Sequence, residues 1–377
     1  MKVERKFSGL RVLEENLFKI GKVFENLSNT QRIGEEDWKE RIFQKNPWFT
    51  VKYINLALKG WSLSLTRDKI AQWIESYPEL EIHLEELNNN PQKVKTIGLI
   101  LAGNIPMVGF QDILCVLVSG HRAQIKLSSA DDLLIPQLLN KIFEENSDWE
   151  HRIQIVDRLH GMDSVIATGS NNSARYFEYY FGKYPHIIRK NRNSVALLSG
   201  AETDKELREL GKDIFNYFGF GCRNVSKLYV PEGYDFTQFF DNMEPLREEV
   251  SLNKYLNNVE YQNAMLLLNQ SPHLQNGFLF LVESSSLSSP ISILHFEYFT
   301  AESLPQQIFN VEDQIQCIVG SERNLLALGI KLKQKSKKII PFGQSQFPEL
   351  WDYADGKDVL QFLMEELEYN FNGISPN

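Results

Sequence analysis

The sequence has only three cysteines, Cys115, Cys222 and Cys317. Three thiols cannot complete a disulfide framework, and their spacing matches no zinc signature. A reducing compartment, the cytoplasm, is the simple expectation. Basic residues are in deficit: 40 Lys and Arg against 49 Asp and Glu leave a net charge of -9. That balance argues against a nucleic-acid partner, while leaving room for a local basic pocket that takes an anion. No apolar run approaches the roughly 20 residues of a membrane-spanning helix; the run from Ile97 to Ala102 is of strand length. The first twenty or so residues are too charged for the apolar core of a signal peptide. No HExxH, no GxxxxGK[ST] loop and no GxSxG elbow occurs. The histidines (His83, His121, His151, His160, His186, His273 and His295) form no close pair, so no metal is expected.

With 377 residues, 42% hydrophobic and 24% charged, the chain has an ordinary globular composition and room for two or three domains. The first ninety or so residues read as helical. Phe7, Leu10, Leu13, Leu17 and Ile20 recur at helical spacing, and Ile54, Leu56, Leu58 and Trp61 continue the pattern beyond a break at Asn46-Pro47. The period then changes. Strands are expected at Thr96 to Ala102, Ala123 to Leu127, Ile153 to Val156, Ser164 to Thr168 and Ser194 to Leu198, with helices between most of them. A second series runs through a helix at Asp204 to Tyr217 and a strand at Lys227 to Val230. Further strands are expected near Phe278, Ile291, Ile315 and Lys338. Alternation of this kind indicates an α/β fold, with mainly parallel sheets covered by helices. Two α/β lobes are expected, dividing near residue 200.

Gly219-Phe220-Gly221-Cys222-Arg223-Asn224 begins like a dinucleotide GxGxxG, but Asn224 stands where the third glycine belongs, and a helix precedes it. What the segment does offer is a cysteine at a helix-to-strand turn. Two glycines let the backbone bend and a ligand approach, and Arg223 beside Cys222 favours a thiolate. The plainer alternative is a small buried hydrophobe.

Several segments, in their order, resemble the aldehyde dehydrogenase superfamily over residues 95–345. They are Gly103-Asn104-Ile105-Pro106, His121 to Lys126, Ala167 to Ser170, Asn193 to Ala196 and Gly219 to Val225. The resemblance is closer to the acyl-CoA reductase branch, the LuxC-like fatty-acid reductases of luminous bacteria. Ile340 to Gln346 and Trp351 to Gly356 also look like that branch. It implies a helical N-terminal region (1–90) packed on a cofactor-binding lobe (91–200), a catalytic lobe (201–345) and a C-terminal tail (346–377).

The resemblance also implies roles. Cys222 takes the nucleophile's position, and Asn104 donates to the oxyanion together with the Cys222 N–H. Lys126 touches the cofactor ribose. The glutamate found three positions later in many NAD users is here Ser129, which removes a repulsion against a 2′-phosphate and favours NADPH. Asp131 and Asp132 leave NADH open. Thr168, Gly169 and Ser170 open a helix beside the cofactor, where free N–H groups suit an anion. Each of these residues also has a structural alternative: a turn asparagine, a solvated lysine, a simple N-cap. The hydrolytic Glu-Leu-Gly-Gly motif is replaced by Arg189 to Asn193, with no carboxylate, and the later Glu-x-Phe-Gly-Pro element by Ser286 to Pro290. Loss of the water-activating base fits a reductase. His186 is a secondary candidate for general base. The implied reaction reduces an acyl-CoA or acyl-carrier thioester to an aldehyde through an acyl-cysteine. Reduction of an acyl phosphate, or a non-catalytic scaffold, are the alternatives. A homo-oligomer is expected.

Overall fold

The structure, a computed structural model, describes residues 8–29, 38–330 and 339–369. Phe7 and Lys338, at the edges of two expected elements, lie outside these residues, as does 370–377 of the expected tail. The chain forms two compact units, 1–190 with 348–377, and 191–347.

The first unit opens with five helices: α1 (Ser8–Asn29), α2 (Trp38–Lys45), α3 (Val51–Ser64), α4 (Arg67–Glu75) and α5 (Leu80–Asn89). The helical spacing seen in the sequence is the buried face of α1: Leu10, Leu13, Leu17, Ile20 and Phe24 are all buried. Thr50 caps α3 by accepting from Tyr53 N. A five-stranded parallel sheet follows, built from β1 (Thr96–Ile100), β2 (Arg122–Lys126), β3 (Ile153–Ile155), β4 (Ser164–Thr168) and β5 (His186–Arg189). Its helices are α6 (Phe110–Val118), α7 (Leu134–Glu145) and α8 (Asn171–Phe181). The strand order is β3-β2-β1-β4-β5. The chain winds outward from β1 through β2 to β3, then returns to place β4 on the other side of β1. That reversal is a topological switch point, and in such sheets ligands bind beyond the carboxyl ends of the strands there.

The second unit holds a seven-stranded sheet in the order β12-β11-β6-β7-β10-β9-β8. Its strands are β6 (Asn193–Leu197), β7 (Val225–Pro231), β8 (Leu274–Gln275), β9 (Phe280–Glu283), β10 (Ile293–Phe299), β11 (Ile315–Gly320) and β12 (Ile339–Ile340). All pairs are parallel except β8 with β9. The helices are α9 (Asp204–Phe215), α10 (Thr237–Met243), α11 (Asn253–Leu268), α12 (Leu304–Val311) and α13 (Glu322–Ala327). A capping box of Thr203 and Glu206 starts α9.

Two sequence expectations need correction. The strand at 193–197 was expected to end the first lobe, yet it is a central strand of the second sheet, bonded to β7 and β11. Period identifies a strand but not its partners. The residues after 348 are not a separate tail: α14 (Val359–Tyr369) packs on α6. Tyr353 accepts from Trp73 Nε1 at 2.8 Å, and the hydroxyl of Tyr77 lies 2.8 Å from that of Tyr353. Gln111 Nε2 donates to the Leu350 carbonyl at 3.0 Å.

Candidate active site

In the first unit, parallel register gathers the expected cofactor residues at one edge. Ile100 of β1 pairs with Lys126 of β2 on one side and Ala167 of β4 on the other. Asn104, Lys126, Ser129 and the Thr168-Gly169-Ser170 turn therefore all lie at or just past the carboxyl ends of three adjacent strands. Gly103 allows the turns after β1 and β2 to touch, since a Cβ there would stand 2.7 Å from Ser128 Oγ and 3.1 Å from Asp131 N. Asn104, Ser129 and Ser170 are exposed. Lys126 is exposed too, and its ammonium has no partner among the described residues. Ser170 caps α8, accepting from Ser173 N at 3.2 Å.

The two acids that could compete for a ribose are otherwise engaged. Asp132 is paired with Lys45. Asp131 is 5% exposed and accepts from Leu134 N at the start of α7. Burial pushes its carboxyl up to about 7.

Sequence reasoning missed the pair that braces this edge. Arg189, at the carboxyl end of β5, donates to both oxygens of Asp112 in the first turn of α6, at 2.6 and 2.9 Å. Both side chains are buried. Arg189 also reaches Thr168 Oγ1 at 3.4 Å, and its carbonyl accepts from Gly169 N. His186 is not brought to this edge. It starts β5, opposite Val165, and Arg189 rather than His186 is level with Thr168. Three residues of strand, about 10 Å, separate His186 from the turn residues, and its Nδ1 is bonded to the Tyr184 carbonyl. Strand direction, which local sequence does not give, thus sets His186 at the opposite end of β5 from Arg189.

In the second unit, Cys222 sits at the tip of a doubly closed turn. Asn224 N donates to the Gly221 carbonyl at 2.9 Å, and Gly221 N donates back to Asn224 Oδ1 at 2.8 Å. Helix α9 ends just before it, where Tyr217, Phe218 and Gly219 are all left-handed, with φ of 53, 56 and 80°. Only glycine takes this region freely, so two aromatic residues there are strained. Their burial holds them in place: Phe218 stacks near Tyr255, with centroids 6.1 Å apart. The bend leaves the last carbonyls of α9 without helical donors. Asn224 Nδ2 supplies one, to Asp213, Ile214 and Asn216 at 3.0, 3.3 and 2.7 Å. The mismatch in the GxGxxG comparison is therefore the residue that closes the turn, and its signal was an asparagine where a glycine was looked for.

Ser194 fastens the turn to β6, donating from Oγ to the Cys222 carbonyl at 2.9 Å, while the same oxygen accepts from Cys317 N. Of the three cysteines, Cys115 and Cys317 are buried and Cys222 is half-buried. Burial pushes the Cys317 thiol up to about 11 and the Cys115 thiol well above its ordinary value, so both are inert. The serine-rich segment is also fastened. The fully buried Lys227 donates to the Ser285 carbonyl at 2.9 Å and pairs with Glu297. Ser226 Oγ bonds the Leu287 carbonyl at 2.7 Å.

Comparison with solved structures decides the fold. The chain matches an NAD-dependent benzaldehyde dehydrogenase from Corynebacterium glutamicum with a TM-score of 0.61, at 13% identity, over 89% of this chain and 83% of that one. The fold is that of the aldehyde dehydrogenases. An indole-3-acetaldehyde dehydrogenase of P. syringae, solved with NAD+, shares this aldehyde dehydrogenase fold with a TM-score of 0.57, at 12% identity, over 87% of this chain and 76% of that one. Among curated proteins, the long-chain acyl-protein thioester reductase 2 of Photobacterium leiognathi is 25% identical over 207 residues, 50% of this chain. The match spans 40% of that reductase's length. No family model matches the chain. Both comparisons agree with the resemblance carried by the motifs: an aldehyde dehydrogenase fold with a LuxC-like relative. No helix among the described residues is long and apolar enough to cross a membrane.

Proposed function

We propose that this protein is a thioester reductase that forms an aldehyde through an acyl-Cys222 intermediate. The observation that carries the reading is the Cys222 turn: a half-buried thiol at the tip of a turn fixed by Asn224 and Ser194, while the other two thiols are sealed. The name of the 25% identical relative supports a long acyl chain on a protein thioester; acyl-CoA is the other proposed donor.

The Cys222 thiolate attacks the acyl carbonyl, and the carrier thiolate leaves. Ser194 and Asn224 hold the peptide groups on either side of Cys222, which keeps its N–H fixed for the developing oxyanion. Asn104 is proposed as a second donor, and such a donor is worth about 3–4 kcal/mol in the transition state. The residues at the switch point suit a nicotinamide dinucleotide: the N-terminus of α8 for an anion, Lys126 for ribose or phosphate, and Ser129 without a repelling charge. With both nearby acids engaged, NADPH is the proposed form. When bound, this cofactor supplies the hydride that reduces the acyl-cysteine thioester. Collapse then releases the aldehyde and returns the Cys222 thiolate. Residues 189–193 hold no carboxylate to activate water, so the thioester waits for reduction. The protein is further proposed to form a homo-oligomer, against which light scattering at 43.7 kDa, the mass of one chain, would count.

The test is covalent labelling. Acyl-CoA labelled in the acyl group should acylate the wild type and leave Cys222→Ala unlabelled, with aldehyde appearing only when NADPH is added. Equal labelling of the two proteins removes Cys222 from the mechanism. Release of free acid faster than aldehyde removes the reductase reading.

A further inference from the structure

Asp213 carries contacts that the thioester chemistry leaves unexplained. It lies on α9 and is 1% exposed. Its carboxylate accepts from Gly343 N at 2.6 Å and Ser345 N at 3.0 Å. Its own carbonyl accepts from Asn224 Nδ2 at 3.0 Å. Asn224 in turn holds the N–H of Gly221, the residue before Cys222. One residue is thus bonded on one side to the 343–345 segment and on the other to the turn that carries the nucleophile.

The segment approaches α9 very closely. Gly343 has a φ of 81°, and a Cβ there would stand 2.3 Å from Glu209 Oε2. Glu209 and Asp213 are four residues apart and so share one face of α9. A neutral asparagine at 213 would offer one oxygen where the carboxylate offers two, and its NH2 would oppose the second N–H. Two backbone donors aimed at one side chain call for a charge.

We infer that Asp213 and Asn224 are positioning residues for Cys222, and that ionised Asp213 keeps the turn in place by tying α9 to the 343–345 segment. The catalytic meaning of this rests on the reading above; the geometry does not. Burial pushes the Asp213 carboxyl up to about 6, and the N–H bonds only partly oppose it. Glu209, itself paired with Lys212, raises it further. From β11 and from the turn, the ionisable neighbours are Cys317, whose thiol Asp213 pushes up, and Arg223, which pulls that thiol down. The 343–345 segment brings no charge. Asp213 therefore gains its proton in weakly acidic solution, and one of its two N–H bonds is then weakened.

Alkylation of Cys222 by iodoacetamide, followed by mass spectrometry on the full chain from about pH 5 to 9, tests this. Rates are expressed per thiolate. The wild type should show an inflection near pH 6, with reactivity about tenfold lower on its acid side, the worth of one charge-assisted hydrogen bond. Asp213→Asn should lose the inflection and stay at the lower value. A wild type whose rate per thiolate is flat across this range overturns the inference, and decides alone if the variant does not fold. A reactivity that rises as Asp213 protonates, the mark of charge without positioning, also overturns it, as does an unchanged profile in Asp213→Asn. Because alkylation needs no acyl donor, failure to form aldehyde from any thioester would sink the reductase reading without touching this result.

Discussion

Arg189 meets Asp112 across 77 positions of sequence in a bidentate pair, at 2.6 and 2.9 Å, with both side chains buried. The pair joins the carboxyl end of β5 to the first turn of α6, and the arginine extends the contact to Thr168. Desolvation alone would lower the arginine's pKa, but the aspartate beside it raises it above its ordinary value.

Removing one partner should therefore be severe. Asp112→Ala leaves a buried guanidinium without its counter-charge, which costs about 3–5 kcal/mol. The double variant Asp112→Leu with Arg189→Met should recover much of that, because it buries no charge. Urea midpoints measure both. A loss below about 1 kcal/mol in the single variant would mean that the pair is solvated in solution.

Ser129 is expected to decide the cofactor. Ser129→Glu should move the ratio of kcat/KM values for NADPH and NADH towards NADH, by on the order of tenfold, which is about 1.4 kcal/mol of repulsion against a 2′-phosphate. Steady-state kinetics with both cofactors give the ratio. If it is unchanged, residue 129 does not face the ribose.

Asp131 gives a pH dependence of stability. Its folded value of about 7 lies above the ordinary 3.8. A raised value means that the folded chain binds the proton more tightly. The contribution to stability is present below about pH 4 and is lost as pH rises through 7. Asp131→Asn removes the buried charge and keeps an oxygen for Leu134 N. The variant should gain a few kcal/mol over the wild type at about pH 8, with little difference near pH 4. Denaturation at the two pH values measures this; an equal difference at both would place the cause elsewhere.

Local sequence was enough for most elements. The buried stripe of α1, the apolar run of β1 and the alternation that signals parallel strands are properties of neighbours a few residues apart, and period alone reveals them. The short β5 escaped because Ile187 and Ile188, just after Pro185, are too brief a run to carry a period. The motifs placed Asn104, Lys126, Ser129 and the Thr168-Gly169-Ser170 turn at strand ends, and parallel register then gathered them at one edge.

What the sequence could not reveal was partnership. Which sheet takes the strand 193–197, which end of β5 holds His186, and where the residues after 348 return are questions of pairing between distant segments. The same is true of the groups that fix the site: Asp112 with Arg189, Ser194 with the Cys222 carbonyl, and Asp213 with Gly343 and Ser345, 130 and 132 positions away. A polar residue's type says that it needs a partner once it is buried, because an unpaired group in the interior costs more than its hydrogen bond is worth in water. Only the folded backbone says which donor arrives to meet it.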